Sequence, residues 1–338
     1  MLVINCRNVN DGFIKGLDLL NQFKEDVTTS RGGDVIEVPV PVTTVFGNPQ
    51  ERVLFESIRK ANPFFHFMES LWMLGGRNDL DYVVKYNKRM KEYSDDGVVL
   101  HGAYGYRWRE HFGGDQLELV IQRLQMDPSD RRCVIQMWDP VVDLNRAGVD
   151  VPCNTCIYFK IRDNMLHMTV SNRSNDIIWG TFGANVVHMS MLHEYVASAI
   201  GVETGFYTQI SDSFHAYVDV FEDMHAKLEA QDAFDFWSMK ESLNPYDNKA
   251  INPYPMMSVD SHTWDTDLVA FLDRRPFEPM EFVDDFFTDV ACPLQDAWYC
   301  YKKGEYEEAL VEVQRCEATD WCTAGFDWLN TSINNKEK

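Results

Sequence analysis

The stretch "DVPCNTCIYFKIRD", residues 150–163, places two thiols, Cys153 and Cys156, at C-x-x-C spacing ahead of an alternating run. Three chemistries fit such a pair: a metal or redox site, a packed thiol, or a nucleophile. A four-ligand zinc site needs two more ligands, and no second close Cys or His pair accompanies this one, so no metal is expected. With a strand starting near Cys156, Cys153 falls in the loop before it, where a thiol can face a cleft. A lone free cysteine is more often a small packed hydrophobe, so the thiol by itself does not decide.

Glu69 lies in "NPFFHFMESLWMLGG", with Phe65 at i−4 and Trp72 and Met73 at i+3 and i+4. Loss of hydration among such neighbours favours the neutral form of a carboxyl group, which suits it to moving protons near neutral pH. A Glu on a thin polar stripe is the alternative. Arg131 and Arg132 precede one strand-like run, and Arg173 and Ser174 follow another. Guanidinium forks and a hydroxyl suit phosphate oxygens, although each pair alone is more often a surface feature.

The elements that would position these groups read as a mixed α/β chain. Asn62 as N-cap, Pro63 at the first helical position and Gly75-Gly76 as the stop predict a buried helix. "RRCVIQMWDP" alternates as a strand closed by Pro140, and "CIYFKI" and "LHMTVSN" predict a hairpin around Asp163-Asn164. "NVVHMSMLHEYVASAIG" predicts a second buried helix ending at Gly201. From about Phe221 the chain turns acidic, aromatic and helical, ending in the polar "NTSINNKEK".

With 338 residues, 45% of them hydrophobic, the chain can bury a full core. Its apolar runs fall short of the roughly 18 residues of a membrane span, and its start lacks the pattern of a secretion signal. Eight scattered cysteines suit a reducing cytoplasm. A formal charge of −22 argues against a general nucleic-acid surface, because phosphate binding needs an accumulated basic footprint. An anionic ligand would need a local arginine cluster.

Taken in order, Arg31, "MESLWML", "GAYGYRWR", "SDRRCVIQMW", "VPCNT", "SNRSND", "WGTFGAN" and "SDSFHAY" resemble thymidylate synthase and its relatives, the pyrimidine-nucleotide hydroxymethylases. The resemblance runs from about Arg31 to Tyr217. It implies an α/β (α+β) fold, a mixed sheet packed with helices, with a catalytic core over residues 1–220. Residues 221–338 would hold the remainder of the core and an acidic helical C-terminal extension that matches nothing familiar.

The resemblance also implies roles. Cys153 would add to C6 of a pyrimidine nucleoside monophosphate and make C5 a carbon nucleophile. C5 would then take a carbon unit from the co-substrate 5,10-methylenetetrahydrofolate. Glu69 and Tyr104 would handle protons at the ring, and Asn185 would meet the polar edge of the base. Arg31, Arg173 and Ser174 would hold the 5′-phosphate, joined by Arg131 and Arg132 from the partner subunit of a homodimer with shared sites. His215 and Tyr217 would meet the sugar 3′-hydroxyl. Asp176 would meet the pterin, with Trp179 and Gly180 beside it.

The departures point to a particular product. Met90 and Tyr93 stand where thymidylate synthases carry tryptophans, and Asn154 replaces the His that normally follows the nucleophile. The hydrophobic tail that closes over folate is not recognisable, and "GTFGAN" has one residue more than the usual spacing before Asn185. Methyl transfer requires hydride from a folate kept stacked and dry, whereas hydroxymethyl transfer lets water add. The expected reaction is therefore 5-hydroxymethylation, with thymidylate synthesis as the alternative. An inactive nucleotide-binding relative would need neither thiolate nor buried acid. Asn185 can pair with uracil or, with its amide turned over, with cytosine; deoxycytidylate (dCMP) is placed ahead of deoxyuridylate (dUMP). The host cytoplasm is the expected location if the chain is phage-encoded.

Overall fold

The computed structural model describes residues 1–237 and 244–336; part of the acidic stretch and the last two residues of the polar tail lie outside them. The described strands are β1 (Leu2–Cys6), β2 (Val27–Ser30), β3 (Gly33–Val38), β4 (Val42–Phe46), β5 (Val134–Gln136), β6 (Asn154–Arg162), β7 (Met165–Asn172), β8 (Asn175–Asp176), β9 (Glu203–Ser211) and β10 (Phe214–Tyr217). The helices are α1 (Val9–Asn21), α2 (Pro63–Leu74), α3 (Leu80–Val83), α4 (Tyr104–Arg109), α5 (Gln116–Met126), α6 (Asn185–Ile200), α7 (Val218–Trp237), α8 (Ser261–Asp273), α9 (Cys292–Lys303), α10 (Tyr306–Val313) and α11 (Thr319–Lys336).

A mixed six-stranded sheet runs β1-β4-β9-β7-β6-β5, and a four-stranded sheet runs β2-β3-β10-β8. Alternation along β6 and β7 sends Ile157, Phe159, Ile161, Leu166, Met168 and Val170 to the inner face. The opposite face stays open, with Val134, Tyr158 and Phe206 exposed. The β6–β7 hairpin turns at Asp163 and Asn164, both at positive φ (53° and 60°), as a tight turn between right-twisted strands requires.

The two buried helices form as their sequences predict. Asn62 Oδ1 accepts from Phe65 N at 3.2 Å, and all residues of α2 are buried. Gly201 ends α6 in the left-handed region at φ 87°. β5 is shorter than "RRCVIQMWDP" suggests, because Met137 N and Trp138 N both turn to Thr155 O, at 3.0 and 3.1 Å. The β5–β6 ladder therefore ends at Gln136 opposite Cys156, beside a register shift in the β6–β7 pairing between Asn154 and Cys156.

Beyond residue 220 the chain continues the same hydrophobic core. Phe64 and Phe67 of α2 meet Trp298, Trp328, Trp321 and Phe286 with ring centroids 5.1–5.9 Å apart. The described part of the polar tail is therefore the end of a docked helix, α11, which buries Leu329 and Ile333.

Candidate active site

Cys153 sits at the bulge that opens β6. Bulges re-aim the residues beside them, and here Cys153 and Cys156 part company: Cys156 Sγ donates to Tyr158 Oη at 3.1 Å, on the strand's outward side. Among the described residues no group of three His, Cys, Asp or Glu could hold a metal ion. Cys153 is half-buried. Burial pushes its thiol up, the Arg173 charge pulls it back, Asp150 pushes it up again, and the Tyr104 hydroxyl and Arg31 favour the thiolate. Burial and the neighbouring Cys153 also push the Tyr104 hydroxyl well above its ordinary value.

The arginines grip the same loop by its carbonyls. Arg173 N donates to Cys153 O at 2.9 Å, Nε to Pro152 O at 2.9 Å and Nη2 to Val151 O at 3.0 Å. Arg31, at the tip of the β2–β3 hairpin, donates to Gly148 O at 3.1 Å and Val149 O at 2.9 Å. Both side chains stay exposed, so their charges remain available to an anion. The four-stranded sheet supplies the other edge: β10 pairs antiparallel with β3 and parallel with β8, which lines up His215 with Asp176 and Tyr217 with Val35. A side chain at Gly32 would strike the Tyr217 hydroxyl, so Gly32 lets the hairpin tip lie against Tyr217.

Between Asp176 and Asn185 the chain forms a π-helical turn, Ile177–Ala184, broken at Gly183. This wide turn accommodates the extra residue noted in "GTFGAN". A Cβ on Gly183 would lie 2.7 Å from Ile178 O. Asp176 Oδ1 caps the turn, accepting from Ile178 N at 2.8 Å and Trp179 N at 2.7 Å. Its Oδ2 is buried without a partner, and burial pushes the carboxyl up. Beside it Trp179 is 43% exposed, with the Arg59 guanidinium 4.4 Å from its ring centroid. An orphaned acceptor next to an open aromatic face and Gly180 fits a flat heterocycle carrying N–H donors, the chemistry of a pterin.

Asn185, at the start of α6, is held in a chain of amides. Its Nδ2 donates to Asn175 Oδ1 at 3.2 Å, and Asn175 Nδ2 donates to Gln209 Oε1 at 2.8 Å and Ser211 Oγ at 3.0 Å. The chain fixes one polarity for the Asn185 amide, since turning it over would set two acceptors against each other. Glu69 is 6% exposed, and its Oε2 lies 2.9 Å from His188 Nε2. His66, one turn before Glu69 on α2, is held neutral by burial, with Arg59 and His188 adding to the effect.

The structure thus gathers Cys153, Tyr104, Arg31 and Arg173 around one loop, and Asp176, Trp179, Gly180, Asn185, His215 and Tyr217 around the π-helical turn and the small sheet. Ser174 follows Arg173 and is half-buried. Arg131 and Arg132 lie apart, exposed ahead of β5; Arg132 is folded onto Asp130, with Nη2 to Oδ2 at 2.7 Å. Of the departures, Met90 packs against the core and Tyr93 is exposed. Asn154 is fully buried and donates to Asn172 Oδ1 at 2.7 Å. Sequence reasoning missed Asn175, Gln209, His188, His66 and Arg59. Asn175 stands inside the quoted "SNRSND", and His66 and His188 lie inside the two helices read from the sequence, where continuous apolarity hides the polar stripe; Gln209 and Arg59 lie on segments whose spacing carries no signal.

The family model described as "Thymidylate synthase" matches residues 53–257. The deoxyuridylate hydroxymethyltransferase of Pseudomonas phage M6 is 47% identical over 334 residues, covering 97% of this chain and 94% of that one. The deoxyuridylate hydroxymethyltransferase of Bacillus phage SP01 is 41% identical over 216 residues, 60% of this chain and 56% of that one. The crystal structure of thymidylate synthase from T4 phage aligns with TM-score 0.48 and 23% identity, over 60% of this chain and 75% of that one. The alignment with the phage M6 protein extends well past Tyr217, so the C-terminal region is shared with that relative. The chain belongs to the thymidylate synthase family and is an enzyme of that family.

Proposed function

We propose that this enzyme converts dUMP to 5-hydroxymethyl-dUMP. The observation that carries the reading is the 47% identity, along nearly the whole chain, to a deoxyuridylate hydroxymethyltransferase. It also moves the base from the dCMP expected from sequence to dUMP. The single amide polarity at Asn185 supports a site that reads one base, not both.

The residues divide the work. Arg31, Arg173 and Ser174 receive the 5′-phosphate, and His215 and Tyr217 the sugar. Asn185 pairs with the base and holds its ring over Cys153. The Cys153 thiolate adds to C6, its electron pair forming the S–C6 bond while the C5=C6 π pair shifts onto C5 and the C4 oxygen, leaving C5 nucleophilic. Burial raises this thiol, and Arg173, Tyr104 and Arg31 oppose that rise by favouring the thiolate form that must attack. 5,10-Methylenetetrahydrofolate, when bound, supplies the one-carbon unit. Asp176 Oδ2 would accept from its pterin, with Trp179 and Gly180 alongside. Glu69 takes the proton that leaves C5, and Tyr104 belongs to the same proton network. The bond from the transferred carbon to the folate nitrogen breaks, water adds to that carbon to give the hydroxymethyl group, and Cys153 leaves C6 as the thiolate, restoring the C5=C6 bond.

A homodimer with shared sites is part of the proposal. The open face of the six-stranded sheet supports pairing with a second copy, and Arg131 and Arg132 precede its edge strand, where they could reach across. No described helix is long and apolar enough to cross a membrane, and the host cytoplasm is the proposed site of action. The test incubates the enzyme and methylenetetrahydrofolate with dUMP and dCMP in parallel and weighs the products. The reading expects dUMP to gain CH₂O and dCMP to be poorly used. A gain of CH₂ would mean thymidylate synthesis, and no product with intact nucleotide binding would mean a silent relative.

A further inference from the structure

The packing of α2 against α6 leaves one group that the mechanism above does not use. His188 is 3% exposed, and its Nε2 lies 2.9 Å from Glu69 Oε2. The oxygen sits off the N–H direction, so no formed hydrogen bond satisfies Nε2, and Nδ1 has no partner either. A buried imidazole left this way is costly, and packing alone does not account for it. Its placement is informative. His188 is one turn after Asn185 on α6, and the two share a stripe of that helix. Across the interface, Glu69 is one turn after His66 on α2.

We infer that His188 is a positioning residue for Glu69, its Nε2–H turning into line to hold the Glu69 carboxylate beside the base whenever the acid is ionised. The inference rests on the reading of Glu69 as the proton-handling group. Contacts in an unliganded site are often misaligned and tighten only with substrate bound. A small rotation of either side chain completes this one. The bond forms to the Glu69 carboxylate and weakens once that group carries the proton from C5. His66, buried and neutral beside the pair, adds no competing charge. Because His188 and Asn185 share a helix, the acid is placed by the same element that reads the base.

The test uses the full chain and follows tritium release from C5-labelled dUMP in the presence of methylenetetrahydrofolate, with dUMP binding measured by calorimetry. His188→Leu removes the N–H while roughly keeping the volume. Release is expected to slow on the order of 100-fold, the lower end of what a positioned proton-transfer group contributes, with dUMP affinity within about threefold of wild type. His188→Gln carries an amide N–H near the Nε2 position and is expected to recover most of the rate. His188→Asn, whose amide falls near Nδ1, is not expected to recover it, and this pair decides the matter if the leucine variant does not fold. Wild-type release from either His188→Leu or His188→Asn would overturn the inference, as would equal losses in the Gln and Asn variants with parallel loss of binding. A Glu69→Gln chain tests the underlying reading separately: if it still releases tritium at the wild-type rate, the role of Glu69 fails first.

Discussion

The two sides of the site are built on opposite terms. Around Cys153, charge is held at the surface: Arg31 and Arg173 are exposed and anchored through backbone carbonyls of the loop at 148–152. Around Glu69, polar groups are sealed between packed helices, and Glu69, His66 and His188 are each at most 7% exposed. The rim can meet a dianion from solvent even on a protein of net charge −22, because its cations stay hydrated and local. Burial keeps water from competing for the polar atoms of Glu69, His66 and His188. In the proposed reading, recognition sits on loops and hairpin tips, and proton chemistry on packed helices.

The sharpest way to break this contrast is at the nucleophile. Cys153→Ala is expected to lower turnover by roughly 10⁴- to 10⁶-fold, the scale of deleting a covalent nucleophile, while dUMP binding persists on the intact rim. Cys156→Ala, whose thiol faces the other side of the strand, is expected to remain active. Steady-state rates and calorimetry on the two variants check this; a dead Cys156 variant beside an active Cys153 variant would reverse the assignment.

The proposed sharing of the rim gives the next effect. An Arg132→Ala chain and a Cys153→Ala chain, each inactive or nearly so, are expected to regain activity when mixed, since one site of the heterodimer keeps both an intact Cys153 and an intact Arg132. Heterodimers that form without activity would confine each site to one chain.

The electrostatics of the rim can be measured without substrate. Burial raises the Cys153 thiol, and Arg173 opposes that shift while Asp150 adds to it. Removing a cation that stabilises the thiolate raises the pKa, and removing an anion lowers it. The pH profile of Cys153 alkylation is therefore expected to move to higher pH in Arg173→Gln and to lower pH in Asp150→Asn, and movement in the same direction would refute the assignment. Arg173→Gln is also expected to weaken dUMP binding by about 10- to 100-fold, as for loss of hydrogen bonds from a charged group.

The smallest effect lies where rim and interior meet. Asn175→Ala frees the Asn185 amide from its fixed polarity, and the ratio of dUMP to dCMP turnover is expected to fall by about tenfold, the worth of roughly one hydrogen bond. An unchanged ratio would show that something other than the amide chain sets the base preference.

The rim was more legible in the sequence than the interior. Cys153, Arg173 and Ser174 lie on short segments flanking the β6–β7 hairpin, and that hairpin announces itself through alternation and the Asp163-Asn164 turn. Helix α2 was legible from Asn62, Pro63 and Gly75. The meeting of Glu69 with His188 joins residues more than a hundred positions apart, on helices whose continuous apolarity hides which face holds the polar stripe. The amide chain from Asn185 through Asn175 to Gln209 crosses three elements, and no local pattern marks it. β5 came out shorter than its alternation suggests because a bulge at Thr155, a tertiary feature, redirected its hydrogen bonds. The docking of α9 and α11 on α2 likewise depends on aromatic contacts across the whole chain.

The central claim of the proposed function is that water, not hydride, completes the reaction at C5. Turnover of dUMP with methylenetetrahydrofolate in water enriched in heavy oxygen, followed by mass spectrometry of the nucleotide and absorbance of the folate, tests it directly. The account predicts a hydroxymethyl product bearing the heavy oxygen and tetrahydrofolate released unoxidised. An unlabelled methyl product with an equal amount of dihydrofolate would contradict it, while leaving the roles of Cys153 and the arginines standing.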